Sequence, residues 1–512
     1  MHLLCKAMQK KSAFLIIVAL VIGVVIGYVV GWGTAPQPTI QTVTLPPTTY
    51  TVTVTERPGV TPAPTQTVTV TVTPAIGVVQ PSEIVITAWT QGPERESIYR
   101  QLNLELAAEK LNTILRDLNI PLTVRIEGEF STASWTDYRK KLYMALEAGT
   151  GPCIFLTAHI DTAVLSENNW VIPLDEYIQK YWNFTYYDVI PGLWDAVRYK
   201  GRVWGVPQDT EARPIYFNKI LLKRLGWSDE EINDLPRKIR DGEFTLEDML
   251  RVAKEAVDKG VVEPGYAIWH RPNPGPDWPI VYLAYGGKLY DDTTGKLVAD
   301  MRVWRKYFEF FYKASMQNYR LISDMLTSLD WNRDIHPTIV AGKVLFWMGG
   351  TWHKGQWVSS FGLTEEQFWE MFGFALYPAG EKGLKPVTLS QPMAYFISKA
   401  CPYPELAFLI VTLATDPYLN SLHAVPSAHL AILYSQLVNP LYIRDRFLKE
   451  TGYMVEYAKY QPLHPKWGEY STSIFEIVKG IETGGFRSVD EALAAFKNLL
   501  TTRLGDNVII IE

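Results

Sequence analysis

The chain has 512 residues, with 49 Lys and Arg against 54 Asp and Glu and a formal net charge of −5. No basic run accompanies that near-balance, so nucleic-acid binding has no electrostatic support. Its three cysteines, Cys5, Cys153 and Cys401, make neither a CxxC pair nor a disulfide framework, and Cys153 and Cys401 can bond only if the fold brings them together.

The first element is apolar. Lys6, Lys10 and Lys11 precede a charge-free stretch from Ser12 to Gly33. At ~1.5 Å rise per residue it is long enough for the ~30 Å hydrocarbon core. Lysines before the stretch, and no basic residue after it until Arg57, predict a cytoplasmic N-terminus over 1–11, a transmembrane anchor over 12–33 and everything else outside. Tyr28 and Trp32 suit the outer interface. A cleaved export signal is the rival reading, but its nearest cleavage site, Gly33-Thr34-Ala35, is followed by Pro36. Both readings put the remaining chain outside. Residues 34–74 are mostly Thr, Pro and Val, with a reach of roughly 130 Å at ~3.3 Å per residue, which predicts an extended, unpacked stalk of the O-glycosylated kind over 34–80.

From Glu83 the pattern alternates between strand and helix. Ile84–Ala88 reads as a buried strand, and Leu104, Ala108, Leu111, Leu115 and Leu118 mark one helix face. Leu122, Val124 and Ile126 alternate with polar residues as a strand does, then Ser134 caps a helix carrying Tyr138, Leu142, Ala145 and Leu146. Cys153–Ala158 is a third strand. This β-α-β-α-β order implies a parallel sheet with right-handed crossovers, whose ligands bind beyond the strands' carboxyl ends. Those ends are the loops at Trp89–Glu94 and His159–Thr162. Thr245 caps a later helix with Leu246, Met249, Leu250, Ala253 and Val257 on one face, and Ser488 with Glu491 predicts a capping box opening a last helix with Leu493, Phe496 and Leu500. About 430 residues lie beyond the stalk, more than one domain usually holds, so two lobes are expected.

Most catalytic signatures are missing. None of the eight histidines makes HExxH, and there is no P-loop, GxGxxG or GxSxG. His159-Ile160-Asp161 has donors for a metal, against the commoner role of a hydrogen-bonded loop. Gly286-Gly287 and Gly349-Gly350 mark turns. Paired acids could serve a glycosidase, since such pairs need no local spacing. Aromatic residues make up 13% of the chain, with 17 Trp. Indole faces stack on the C–H faces of sugar rings while carboxylates and amides take hydroxyls, although most such rings belong to cores. Asn183-Phe184-Thr185 is a glycosylation motif, usable in an exported chain.

Leu193–Trp227, LWDAVRYKGRVWGVPQDTEARPIYFNKILLKRLGW, resembles the signature of family 1 extracellular solute-binding proteins, the maltose/trehalose-type receptors of ABC importers. Gly205-Val206-Pro207, Asp209, Glu211 and Tyr216-Phe217-Asn218-Lys219 carry the pattern. Ala341–His353, Thr388–Pro417 and the segment from Ser473 through Leu500 are similar to later parts of it, in the same order. The resemblance implies an α/β, two-lobed, type II periplasmic-binding-protein-like fold, with 83–210 and about 387–440 in one lobe and about 211–386 and 441–512 in the other. It implies a non-catalytic, monomeric receptor that captures a mono- or oligosaccharide and delivers it to permease subunits, with no cofactor and no metal. Trp352 matches a sugar-stacking position, Trp278 is similar to a second aromatic, and Asp209 and Glu211 match hydroxyl acceptors. Trp89, Gln91 and Asp161 follow the first and third strands, Gln391 and Tyr395 lie on the return strand, and Tyr470 approaches the closing helices. Trp347 reads as core. No lipid-attachment cysteine follows the apolar stretch, so anchoring falls to the helix, as in some archaeal receptors. Arg213 departs from the acidic cluster and opens the alternative of an anionic compound or peptide; an anchored glycosidase and a surface-layer component are the further rivals.

Overall fold

The computed structural model describes residues 42–44, 75–77, 82–92 and 95–512. The expected anchor over 12–33, the N-terminus before it and most of the stalk lie outside the described residues. Within the stalk range, Thr42–Thr44 pairs antiparallel with Ala75–Gly77. Among the described residues no helix is long and apolar enough to cross a membrane.

The chain divides into two compact units, one of residues 1–85 and 108–125 and one of residues 86–107 and 126–512. In the first, Asn112 clamps Val124 from both sides, Nδ2 donating to its carbonyl at 2.7 Å and Oδ1 accepting from its N–H at 2.8 Å. Ile84, Ala108, Leu111, Leu115 and Val124 are its buried apolar residues.

In chain order the elements that position the site begin with β1 (Ser82–Gln91), α1 (Tyr99–Asp117), β2 (Leu122–Ser131), α2 (Trp135–Glu147) and β3 (Ile154–Ala158). The expected β-α-β-α-β order is present, and Ser134 caps α2 by accepting from the Asp137 N–H. β4 (Val206–Asp209) follows a hairpin, and the chain then crosses into a second sheet at β5 (Ile215–Asn218). That sheet is completed by β6 (Ile268–Trp269), β7 (Phe346–Met348) and β8 (Phe372–Ala375), in the order β6-β7-β5-β8. β9 (Thr388–Ser390) and β10 (Met393–Ile397) bring the chain back, giving the first sheet its order β2-β1-β3-β10-β4. β10 is antiparallel to both neighbours, with Tyr395 opposite Leu156 and Val206.

α3 (Leu246–Asp258), whose capping box pairs Thr245 with Asp248, and the aromatic α4 (Met301–Ala314) bury their apolar faces in the same core as the second sheet. Trp347 is buried in β7, as expected. After α5 (Trp352–Ser360), α6 (Pro404–Ala414) and α7 (Pro417–Ser427), a third crossing begins where Leu430 bridges to Thr210. β11 (Ala458–Tyr460) pairs with β9, and α8 (Trp467–Glu482) and α9 (Val489–Leu504) close the chain. At α9 the expected capping box is half formed. Ser488 accepts from the Glu491 N–H, but the Glu491 carboxylate reaches past the cap to the Arg487 N–H at 2.8 Å. Cys153 and Cys401 form a disulfide, and beside it Ser398 N donates to Cys153 O at 2.9 Å at the edge of the β3–β10 ladder.

Candidate functional site

The first crossing, Thr210 to Pro214, runs between the two sheets with Asp209, Glu211 and Arg213 on alternate positions, as an extended backbone places them. β9 holds it at both ends. Thr210 Oγ1 shares a 2.7 Å hydrogen bond with Ser390 Oγ, and the Arg213 N–H donates to Thr388 Oγ1 at 2.7 Å. The crossing thus lies between β9 and the Leu430 segment, where residues of both sheets converge.

Trp352 reaches it through the turn before α5. Gly349 N donates to Pro214 O at 3.3 Å and Thr351 N to Ala212 O at 2.9 Å, so the turn is pinned to the crossing. His353 Nδ1 accepts from Gly350 N at 2.9 Å and from Trp347 Nε1 at 3.2 Å. A Cβ at position 350 would sit 1.9 Å from the Trp352 ring, so glycine is what lets the indole fold over the turn. The half-buried indole then has the Arg213 guanidinium 5.1 Å from its centroid and the His429 ring 6.4 Å away at 21°.

Below the indole the charges alternate. Arg213 Nη1 donates to Glu211 Oε1 at 2.6 Å and to Leu389 O at 3.2 Å, while Nε donates to Asp277. Arg271 donates to the other Asp277 oxygen at 3.2 Å and lies over the Trp331 ring. Glu211 also accepts from the Gln391 N–H at 3.0 Å. Burial, aided by Asp209, pushes the Glu211 carboxyl up to about 7 against the pull of Arg213.

A second buried network adjoins it. Arg100 Nε donates to Asp209 at 2.8 Å, Nη1 to Gln91 O at 3.0 Å, and Nη2 lies 3.3 Å from His429 Nε2. His423 Nε2 meets the same Asp209 oxygen at 3.0 Å. Burial alone would raise the Asp209 carboxyl, but Arg100, with His429 and His423, holds it well below the usual carboxylate range. Burial drives His429 down to about 3, which leaves a neutral ring beside the Asp209–Arg100 pair. Asp209, His423 and His429 offer metal-ligand atoms within 4.8 Å of one another. The guanidinium already paired with Asp209 makes this a hydrogen-bonded network, and a cation would have to displace it.

Of the expected site residues, the structure brings together Asp209, Glu211, Arg213, Gln391 and Trp352, with Gln91 joined through Arg100. Gln91 Nε2 donates to Ala133 O at 2.7 Å, and its Oε1, like Asp209 Oδ1, is buried without a hydrogen-bond partner. Asp161 is occupied by Arg139 Nε at 2.8 Å and by the Thr157 hydroxyl, and His159 beside it is fully buried. Trp89 carries Lys141 Nζ 4.3 Å over its ring. Three residues lie elsewhere. Trp278 is enclosed by His270, Phe311 and Phe475, with Nε1 donating to Asn273 O at 3.1 Å. Tyr470 is wholly buried against Trp304, its hydroxyl donating to Val298 O at 2.8 Å. Tyr395 spends its hydroxyl on Arg100 O at 2.6 Å. Packing of α4 and α8 takes the first two and the first sheet takes the third. Arg100, His423, His429, Arg271 and Asp277 were missed, and no local motif marks them. A cavity of about 1460 Å³ opens beside Tyr199, Tyr290 and Tyr460, and none of the eleven expected ligand-binding residues lines it.

Residues 124–417 match the family model described as bacterial extracellular solute-binding protein. The chain is 23% identical over 363 residues to the maltotriose-binding protein of Pyrococcus abyssi (strain GE5 / Orsay), covering 67% of this chain and 69% of that one. Its fold is similar to that of the sugar-binding protein MalE from Xanthomonas citri, at TM-score 0.64 and 18% identity over 82% of this chain and 96% of that one. It is also similar to maltose-bound T. maritima MalE3, at TM-score 0.63 and 18% identity over 82% of this chain and all of that one, 100%.

Proposed function

The chain belongs to the bacterial extracellular solute-binding protein family, and from that premise we propose that it is the sugar-capturing component of an ABC importer. The observation that carries this reading is the half-buried Trp352 indole set over Arg213, which bonds Glu211 and Gln391 at the chain crossings. An indole face takes the C–H face of a pyranose, and carboxylate, guanidinium and amide groups take its hydroxyls. The Pyrococcus relative's name points to maltotriose as the first ligand to try.

The charge pattern supports a neutral ligand over an anionic one. Arg213 is bonded to both Glu211 and Asp277, and Arg271 shares Asp277, so two cations face two acids. A carboxylate or phosphate ligand would have to break one of those pairs. The same pairing supports a receptor over a glycosidase, since both acids are already hydrogen-bonded to Arg213. Release and capture then follow from lobe closure, the ligand touching both lobes and so shifting the population toward the closed form.

The receptor acts outside the cell, as a monomer, held by the helix over 12–33 with the stalk as a tether to its permease. The Cys153–Cys401 disulfide suits an oxidising compartment. Calorimetric titration of the purified protein with maltotriose, other neutral oligosaccharides, peptides and anionic sugars tests the proposal. Saturable binding of a neutral oligosaccharide is the expected result, and binding of an anion or peptide alone would overturn it.

A further inference from the structure

Asn183-Phe184-Thr185 is the only Asn-x-Ser/Thr motif in the chain, and the site described above does not use it. Asn183 is exposed on the turn after the helix Asp175–Tyr181, where Phe184 N donates to Tyr181 O at 3.0 Å and Tyr187 N to Trp182 O at 3.1 Å. This turn carries aromatic surface. Trp182, Tyr187, Tyr418 and Tyr434 are 42%, 61%, 56% and 52% exposed. Their segments are stapled together: Thr185 Oγ1 donates to Thr415 O at 2.6 Å, Tyr434 N donates to Asp188 O at 2.9 Å, and Ser435 donates to the Asp188 carboxylate. Exposed aromatic side chains on segments joined in this way offer a sugar chain several faces to stack on.

We propose that Asn183 carries an N-linked glycan that lies across this aromatic surface, on the reading that the region beyond the stalk is exported. Sugar rings stack on Trp and Tyr faces for the same reason that a sugar suits Trp352. The modification joins Asn183 Nδ2 to the anomeric carbon of a saccharide carried on a polyprenyl phosphate or diphosphate. The C–O bond to the carrier breaks, the phosphate oxygen keeps the electron pair, and the amide proton passes to a base of the transferase.

The structure also orders the events. The motif requires the hydroxyl of Thr185, yet in the folded chain Thr185 is 8% exposed and its hydroxyl is bonded to Thr415, 230 residues onward. Glycosylation therefore precedes docking of the Thr415 segment and belongs to export, not to the finished receptor.

The test expresses the full chain in a cell that exports it and holds an oligosaccharyltransferase, beside an exported control protein with a glycosylated motif. Mass spectrometry of the peptide containing Asn183 is expected to show a glycan, absent from Asn183→Gln. Purified, unmodified full chain offered to the same membranes is expected to accept glycan when unfolded in urea and not when folded. An unmodified Asn183 peptide, with the control glycosylated and the chain accessible to protease outside the cell, overturns the glycan while leaving export intact. A chain retained inside overturns both. Equal modification of folded and unfolded chain overturns the proposed order. If the aromatic rings hold the glycan, Tyr187→Ser with Tyr418→Ser speeds its enzymatic release about fivefold; an unchanged release rate overturns the aromatic bed.

Discussion

Replacing Cys153 and Cys401 together by alanine removes the cross-link between two strands that already pair. The native structure changes little, because the β3–β10 ladder and the Ser398–Cys153 backbone bond remain. The unfolded chain gains most of the effect. The bond closes a loop with a sequence separation of 248, for which loop-closure entropy gives about 5.5 kcal/mol at 25 °C, just above the ~5 kcal/mol that disulfides contribute at most. With about 430 folded residues at ~2.1 cal/mol/K each, that corresponds to a melting point lower by about 6 °C. Calorimetric melting of the oxidised protein and the double variant measures it. Ellman titration of the denatured, unreduced chain supplies the control, with one free thiol expected, Cys5, from three cysteines. Three free thiols, or a double variant that melts with the oxidised protein, would refute the reasoning.

Two tryptophans separate site from core. Trp352→Ala weakens oligosaccharide binding by about 2 kcal/mol, roughly thirtyfold, and costs less stability than loss of a fully buried ring because Trp352 is only partly buried; unchanged calorimetric affinity would remove it from the site. Trp278→Ala instead costs about 3–5 kcal/mol of stability, read by denaturant unfolding, as expected for a ring packed among His270, Phe311 and Phe475. Arg100→Met leaves Asp209 buried with only neutral histidines and destabilises the fold by about 3–5 kcal/mol, whereas a loss below about 1 kcal/mol would mean that the pair is not buried as described. Glu211, pushed up to about 7 from 4.5, keeps its proton in the folded state where the unfolded chain has lost it. Its contribution is therefore full below pH 4.5 and lost as pH rises to about 7, by up to ~3 kcal/mol. Glu211→Gln should flatten the wild-type stability slope in that window, and an identical slope in both proteins would contradict the assignment.

The sheet-forming part of the fold was readable because its signal is local. Ile84, Ile86 and Ala88 and the Leu104–Leu115 face repeat with strand and helix periods, and all are buried as those periods require. Trp352 was readable because its turn follows the resemblance from Gly349 onward. Its identity alone would not have sufficed, since Trp278 has the same side chain and a similar Gly-Gly neighbourhood but is packed by α4 and α8. What stayed hidden is pairing between distant segments. Arg100 meets Asp209 across 109 residues and His429 across 329, and Arg213 meets Asp277 across 64. No spacing rule connects such positions, and only the three crossings bring them together. Arg213 shows the consequence. As a lone cation in an acidic segment it suggested an anionic ligand, and its two carboxylate partners now argue for a neutral one.

The central claim is that a neutral sugar is held at the chain crossings, on the Trp352 face. A crystal structure of the protein with its tightest-binding neutral oligosaccharide tests this most directly. A pyranose ring stacked on the Trp352 indole, with hydroxyls on Glu211, Arg213 or Gln391, is the predicted result. A sugar bound in the cavity beside Tyr199, Tyr290 and Tyr460, with Trp352 untouched, would contradict it.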